Sequence, residues 1–358
     1  MGGPGEPPEG APEGSPGGGE DEYRSVVFDE SFVRAARLQE YSAQERMADQ
    51  HGPAVRRRPP IRRGLTRQAL VLVVLIALAF GTAVYMGVRH PYESPAAVRD
   101  PQLALRTTVV PLAPAGTVPG SADAEYLYAH SPAAQFRIGA AGITLPAARD
   151  TAHFTETQVM SALDTVKEYL VRSSLHPEVL TGGETRPVRV LLPADQYLQF
   201  DESLRHPAAD GRHAVTGWLV RFDPRAAELA DPRIRVSGTL AVRETASTLL
   251  EITADHTYVY AVRAAGTGAK GEASLFTVRR ELHFRFDHED VRLHQAQLTV
   301  SYAQAGPMSC GDTASDRLTP LLAGQSAQGS APSGTDPYTS DRVTALCGTL
   351  ATTAQPKV

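Results

Sequence analysis

The chain contains no asparagine, so it offers no acceptor for N-glycosylation. Lysine is almost missing too: three Lys stand among 35 basic residues, a coding bias toward arginine rather than a chemical signal. There are two cysteines, Cys310 and Cys347, too few for a disulfide-dense scaffold or a four-cysteine zinc site. No G-x-S-x-G, H-E-x-x-H or G-x-x-x-x-G-K-[ST] run occurs, which removes the local signatures of α/β-hydrolases, zincins and P-loop NTPases. Residues 1–22 hold no basic residue and are mostly Gly, Pro and Glu. Such a stretch buries too little apolar surface to offset its ordering entropy, and it reads as a disordered acidic tail.

One long apolar run is present. Residues 69–88, ALVLVVLIALAFGTAVYMGV, carry no charge. As a helix, 20 residues span about 30 Å, the thickness of a hydrocarbon core. The run exceeds the ~7–15 residues of a signal-peptide core. Arg56, Arg57, Arg58, Arg62, Arg63 and Arg67 precede it, whereas Arg89 and Arg99 after it are offset by Glu93 and Asp100. The positive-inside rule then places the N-terminus in the cytoplasm and the C-terminal part outside. A basic block can also bind nucleic acid, but abutting an apolar run it reads as a membrane flank, and no nucleic-acid partner is expected. On the outer side an oxidising compartment allows one disulfide, Cys310–Cys347; two free thiols are the alternative.

The expected organisation is a tail (1–22), a cytoplasmic partner-binding helical segment (23–50), a basic flank (51–68), a transmembrane helix (69–89), a linker (90–125), an extracytoplasmic α+β domain (126–307) and a low-complexity C-terminal tail (308–358). Within the arm, residues 25–28 are apolar and β-prone. Asp29 is an N-cap candidate for a helix in which Phe32, Ala35, Ala36, Ala43 and Met47 recur near helical spacing. Val26, Val27, Phe28, Phe32 and Val33 form an apolar cluster with no core of its own, and Arg34 lies at its rim. That pattern points to a protein-docking segment, with a solvated or a membrane-lying helix as the alternatives; the latter would carry a Lys/Arg-rich polar face, which this one lacks.

The run Ser25-Val26-Val27-Phe28-Asp29-Glu30-Ser31-Phe32-Val33-Arg34-Ala35-Ala36 resembles the N-terminal motif of two related groups of Streptomyces membrane proteins, associated with spore-wall synthesis and with the MreB-linked spore wall synthesising complex. Further similar runs are Gly217-Trp218-Leu219-Val220-Arg221-Phe222-Asp223-Pro224, Val278-Arg279-Arg280-Glu281-Leu282 and Ala305-Gly306-Pro307-Met308-Ser309-Cys310. The resemblance covers nearly the whole chain outside its low-complexity stretches. It implies a partner-binding role in sporulation and cell-wall assembly, and it carries over no catalytic residue.

In the outer domain, Val159, Leu163, Val166 and Leu170 mark one face of a helix over residues 155–175, with Thr155 and Gln158 as a capping box and His176-Pro177 as its stop. Strands are expected at residues 188–192, at 217–222, at 234–242, and at 250–262 with a break after Ile252. Two more are expected at 275–286 and from Val291 to Tyr302, with turns at Gly266-Thr267-Gly268 and Asp287-His288-Glu289-Asp290. A helix followed by consecutive strands predicts an α+β fold, a long helix on a twisted antiparallel sheet.

Candidate chemistry is sparse. His256, His283, His288 and His294, with Asp255, Asp287 and Glu289, could converge on a metal, but His288 lies in a polar turn, His283 and His294 alternate with apolar residues as outward positions do, and the spacing gives no specific support for ligands. Asp164 and Glu168 share a helix face, which flanks Lys167 and reads as solvated. Trp218, Tyr258 and Tyr260 fit a sugar platform less well than a core. No catalytic residue, metal or cofactor is assigned. The expected function is a non-catalytic, membrane-anchored component acting through protein–protein contacts. Its expected partners are the bilayer, proteins of a cell-wall synthesis complex and a wall polymer. An extracytoplasmic enzyme or a sensor of an outside ligand are the rival classes.

Overall fold

The computed structural model describes residues 67–89, 104–268, 271–327, 334–339 and 346–357. The chain divides into two units, Met1–Glu93 and Ser94–Val358. The cluster Val26, Val27, Phe28, Phe32, Val33 and Arg34 lies outside the described residues.

In the first unit the described element is α1, Arg67–Arg89. Its placed side chains are those of residues 70–82. Among the described residues no helix is long and apolar enough to cross a membrane. The helical backbone of α1 nevertheless continues through 23 residues, and its nine large apolar side chains from Leu70 to Phe80 are 49–73 % exposed.

The second unit contains β1 (Arg106–Ala113), α2 (Ala124–Ala129), β2 (Arg137–Ile138), α3 (Glu156–Ser174) and α4 (Tyr197–Arg205). These are followed by β3 (Ala227–Ala246), β4 (Leu249–Ala264), β5 (Ser274–Phe286), α5 (His288–Leu293), β6 (Gln297–Gly306) and β7 (Gly348–Thr349). The fold is mixed α and β, as expected. The strand order is β2-β3-β4-β5-β6-β1-β7. The meander β3–β6 is antiparallel, but β1 runs parallel to β6 and β7 parallel to β1, so the expected all-antiparallel sheet is corrected to a mixed one.

The reason is β1. The stretch read as a linker holds Thr107, Thr108, Val109 and Val110, a β-branched run, before Pro111. The prolines around it hid a strand that only a partner far along the chain, β6, completes. The helix at 155–175 stands where its periodicity put it, with both halves of the Thr155/Gln158 capping box formed. It contributes Val159, Leu163, Val166 and Leu170 to a core shared with Leu250, Ile252, Tyr258 and Tyr260 of β4 and Phe276, Leu282, Phe284 and Phe286 of β5.

Three further strand readings are overturned. Residues 186–189 and 215–218 are single helical turns, and Val291 and Leu293 belong to α5. Short apolar runs are ambiguous between strand and buried turn, and here Val188, Leu192, Trp218 and Leu219 cap the core without joining the sheet. The expected turn at residues 287–290 begins α5 instead, because Asp287 and Asp290 form a capping box. β4 runs without the expected break after Ile252. The turn over residues 266–268 does separate β4 from β5.

The C-terminal stretch is packed where it is described. Cys310 and Cys347 are bonded, 37 residues apart, with Cα atoms 5.6 Å apart. Next to Cys347, β7 pairs with Leu112 and Ala113 of β1, and Leu350 and Ala354 bury against Val110, Leu112 and Tyr302. Tyr338 donates to or accepts from Thr277 across β5, and the Thr257 hydroxyl donates to the Pro337 carbonyl. By the chain-entropy relation a closed loop of this size contributes about 4 kcal/mol. Replacing both cysteines by serine should therefore lower the unfolding midpoint. Hydrogen exchange should rise first at residues 346–357 and in β1, with α3 unchanged; equal loosening everywhere would contradict this assignment.

Candidate functional site

The even-numbered residues of β4 and β5 face α3. Along β5 the inward positions read Phe276, Val278, Arg280, Leu282, Phe284, so a guanidinium interrupts a hydrophobic stripe. Arg280 is fully buried. In register beside it stand His256 on β4 and, one strand further, Gly238 on β3. The imidazole lies so close over Gly238 that a Cβ there would overlap it.

No carboxylate is hydrogen-bonded to Arg280 among the described residues. It donates through Nη1 to Ser173 Oγ (3.0 Å) and Ser174 Oγ (2.9 Å), and through Nη2 to the Gly217 carbonyl (2.9 Å). Ser173 and Ser174 are the last residues of α3. The negative end of that helix dipole therefore meets the guanidinium charge, a favourable term of up to about 2 kcal/mol in partly buried settings. The free carbonyls of the same helix end are also taken: Val220 N–H donates to Ser173 O (2.7 Å) and Tyr260 Oη–H to Ser174 O (2.8 Å). Tyr169 Oη–H donates to the Trp218 carbonyl (2.8 Å), and Trp218 Nε1–H to Ser203 Oγ (3.1 Å). Gly217 has no room for a Cβ beside Thr107. The segments around Gly217 and around Arg280 thus meet at one hydrogen bond.

Burial sets the proton chemistry of this cluster. It drives the His256 pKa down to about 4, with the Asp255 charge opposing, and pushes the Tyr258 hydroxyl up to about 12, with Arg280 opposing. Tyr169 and Tyr260 are raised further for the same reason. His256 is neutral, and neither ring nitrogen has a hydrogen-bond partner among the described residues. A general acid or base needs contact with substrate; Arg280, His256, Tyr169 and Tyr258 expose no surface. The cluster ties the end of α3, the turn at residues 215–218 and β5 together.

The remaining candidates scatter. His283 sits on the opposite sheet face, between Glu281 (2.9 Å) and Glu251 (3.6 Å). His288 stacks on Phe154, and His294 faces Ser161 Oγ at 3.4 Å. The four histidines do not converge, and no group of three or more possible metal ligands occurs among the described residues. Asp164 and Glu168 are exposed on α3, with Glu168 near Arg172. Trp218, Tyr258 and Tyr260 are core residues with no exposed surface and form no platform. A cleft beneath the C-terminal segment, lined in part by Val118, Thr277, Pro307 and Gln355, has an internal volume of about 10 Å³. That is about the size of one water.

Arg280 escaped the sequence reading. Its signal was an arginine in phase with an inward-facing apolar stripe. Comparison with protein-family models, curated proteins and solved structures finds no match to this chain.

Two outcomes follow for the cluster. Arg280→Met leaves Ser173, Ser174 and the Gly217 carbonyl without their donor and should destabilise the domain by about 2–4 kcal/mol, read from denaturant midpoints at constant slope. The second concerns pH. The folded-state pKa of His256 lies below its unfolded value, so the unfolded chain binds the extra proton as pH falls. The stability lost between pH 6.5 and 4 should be about 3 kcal/mol from this group. His256→Phe should remove that part of the acid sensitivity; an unchanged pH profile would refute the assignment.

Proposed function

We propose that this protein is a single-pass, membrane-anchored binding component whose folded domain lies outside the cytoplasm. The observation that carries the reading is α1. Its apolar side chains are exposed on every face of the helix, and transferring them from water to hydrocarbon is favourable by on the order of 10 kcal/mol. A helix apolar all round belongs in a large core or a bilayer. The 23-residue backbone length supports a span, and the six arginines before its uncharged run at residues 69–88 support a cytoplasmic N-terminus. The Cys310–Cys347 bond supports an oxidising compartment for the domain.

The binding role rests on the closed character of the polar cluster and on the apolar residues of the arm. The resemblance of the arm motif to membrane proteins of spore-wall synthesis supports a cell-wall synthesis complex as partner, docked through Val26, Val27, Phe28, Phe32, Val33 and Arg34. No catalytic step is assigned to the chain.

Topology and docking are tested separately. A reporter active only outside the cytoplasm should work when fused after Val358 and fail at Met1; the reverse pattern would overturn the orientation. Phe28→Ala with Phe32→Ala should weaken co-purification of wall-synthesis proteins by about 30- to 1,000-fold, the usual loss on truncating interface anchors. Membrane insertion and the thermal midpoint of the domain should not change. Retained partners would move recognition from the arm to the outer domain.

A further inference from the structure

The two edges of the sheet are treated differently. On one side, β1 is closed: its Thr107 N–H donates to the Gly211 carbonyl (2.8 Å), and β7, stapled by the Cys310–Cys347 bond, covers Leu112 and Ala113. On the other side stands β3. Its first half is guarded by two register shifts between Leu229 and Arg235, by Pro232, by β2 pairing at Arg235 and Val236, and by the Arg235–Glu125 ion pair (2.7 Å). Bulges, prolines, charges and short covering strands are the usual protections of a sheet edge.

Past Val236 neither the prolines nor the covering strand continues; the charges there are Arg243 and Glu244 at the far end, and the next register shift comes only after Glu244. From Val236 to Glu244 β3 pairs with β4 in unbroken register. Among the described residues, no segment on its far side makes a backbone hydrogen bond to residues 237–244. Ser237, Thr239, Ala241 and Arg243 are exposed on one face, while Leu240 is buried and Val242 half-buried on the other. An edge of this length and regularity presents free N–H and C=O groups to another strand.

We infer that residues 238–244 pair antiparallel with the same residues of a second copy, about a two-fold axis at Ala241, to continue the sheet across a homodimer. The sequence is self-complementary in this register. Ala241 faces Ala241 of the second copy, a small residue at the axis. Leu240 faces Val242, which extends the apolar floor that faces α3. Thr239 faces Arg243, and Gly238 faces Glu244, where its missing side chain leaves the Glu244–His153 pair (2.6 Å) undisturbed. No like charges stand opposite each other, the arrangement that would disfavour pairing. Because opposite residues share a face, the apolar side of each copy meets the apolar side of the other. The inference is independent of the membrane reading.

The test uses the full chain in mild detergent. Light scattering should give a dimer. Residues directly opposite in antiparallel strands have Cα atoms about 4.5–5.5 Å apart, within disulfide range. Ala241→Cys should therefore give a reducible covalent dimer, with the native bond confirmed by intact mass. Thr239→Cys should not, because the two copies of that residue lie about 14 Å apart along the strands. Ala241→Lys places two ammonium groups at the axis and should weaken the dimer about tenfold without changing the circular dichroism. A monomer at all concentrations, or equal cross-linking at positions 239 and 241, would overturn the proposal. So would a dimer indifferent to Ala241→Lys and not trapped by Ala241→Cys. If Ala241→Lys fails to fold, the contrast between the two cysteine variants decides.

Discussion

The folded domain is organised around a buried cation without a carboxylate. Desolvating a guanidinium costs several kcal/mol, and a carboxylate is the common remedy. Here the remedy is distributed: the C-terminal end of α3, two serine hydroxyls and the carbonyl of Gly217 take its place. The consequence is geometric. The helix end, the turn at residues 215–218 and the centre of β5 must all arrive at one point for the charge to be tolerated. The partners of those three elements follow from it. Tyr169 and Trp218 tie the turn to the helix, and Tyr260 ties the helix to β4.

The same requirement explains why the α3-facing layer is closed. A guanidinium held by dipoles and hydroxyls is stable only while water and competing anions are kept out, since low dielectric strengthens each of those bonds. The same core layer is filled by edge-on aromatic pairs: Phe284 with Tyr169, Phe200 with Trp218, and Phe222 with both Tyr260 and Phe276. Burial that serves the arginine also forces His256 to remain neutral. The core thereby gains a specific geometry and an acid-sensitive point from one cause, the removal of polar groups from water.

On the opposite face the sheet is covered piecemeal. Leu127, Tyr128 and Phe136 cover β4 and β5 near α2, and the disulfide-bonded C-terminal segment covers β1 and β6. Between them lies a polar strip of Asp255, Glu281 and His283, with Asp255 held by Arg279 at 2.7 Å. The pairing of charges across neighbouring strands allows this strip to stay in contact with solvent. The domain is thus dry on one side of the sheet and partly wet on the other.

Some of this was legible in the residues themselves. The helix at residues 155–175 declared itself through a 4-3-4 apolar spacing and a capping box, both local signals. The strands after residue 226 declared themselves through alternation, and the Cys310–Cys347 pair through being the chain's two cysteines. The uncharged run over residues 69–88 is a property of composition and needed no fold to be seen. What the tertiary structure alone decided depends on partners far apart in sequence. β1 is a strand because β6, some 190 residues later, offers a parallel neighbour. Residues 188–192 and 217–222 are not strands because the core needed caps there. Arg280 became the centre of the domain because a helix end happened to reach it. Local pattern reports which face a residue turns; it cannot report which distant dipole will be waiting there, and for a buried charge that partner decides whether the site can exist.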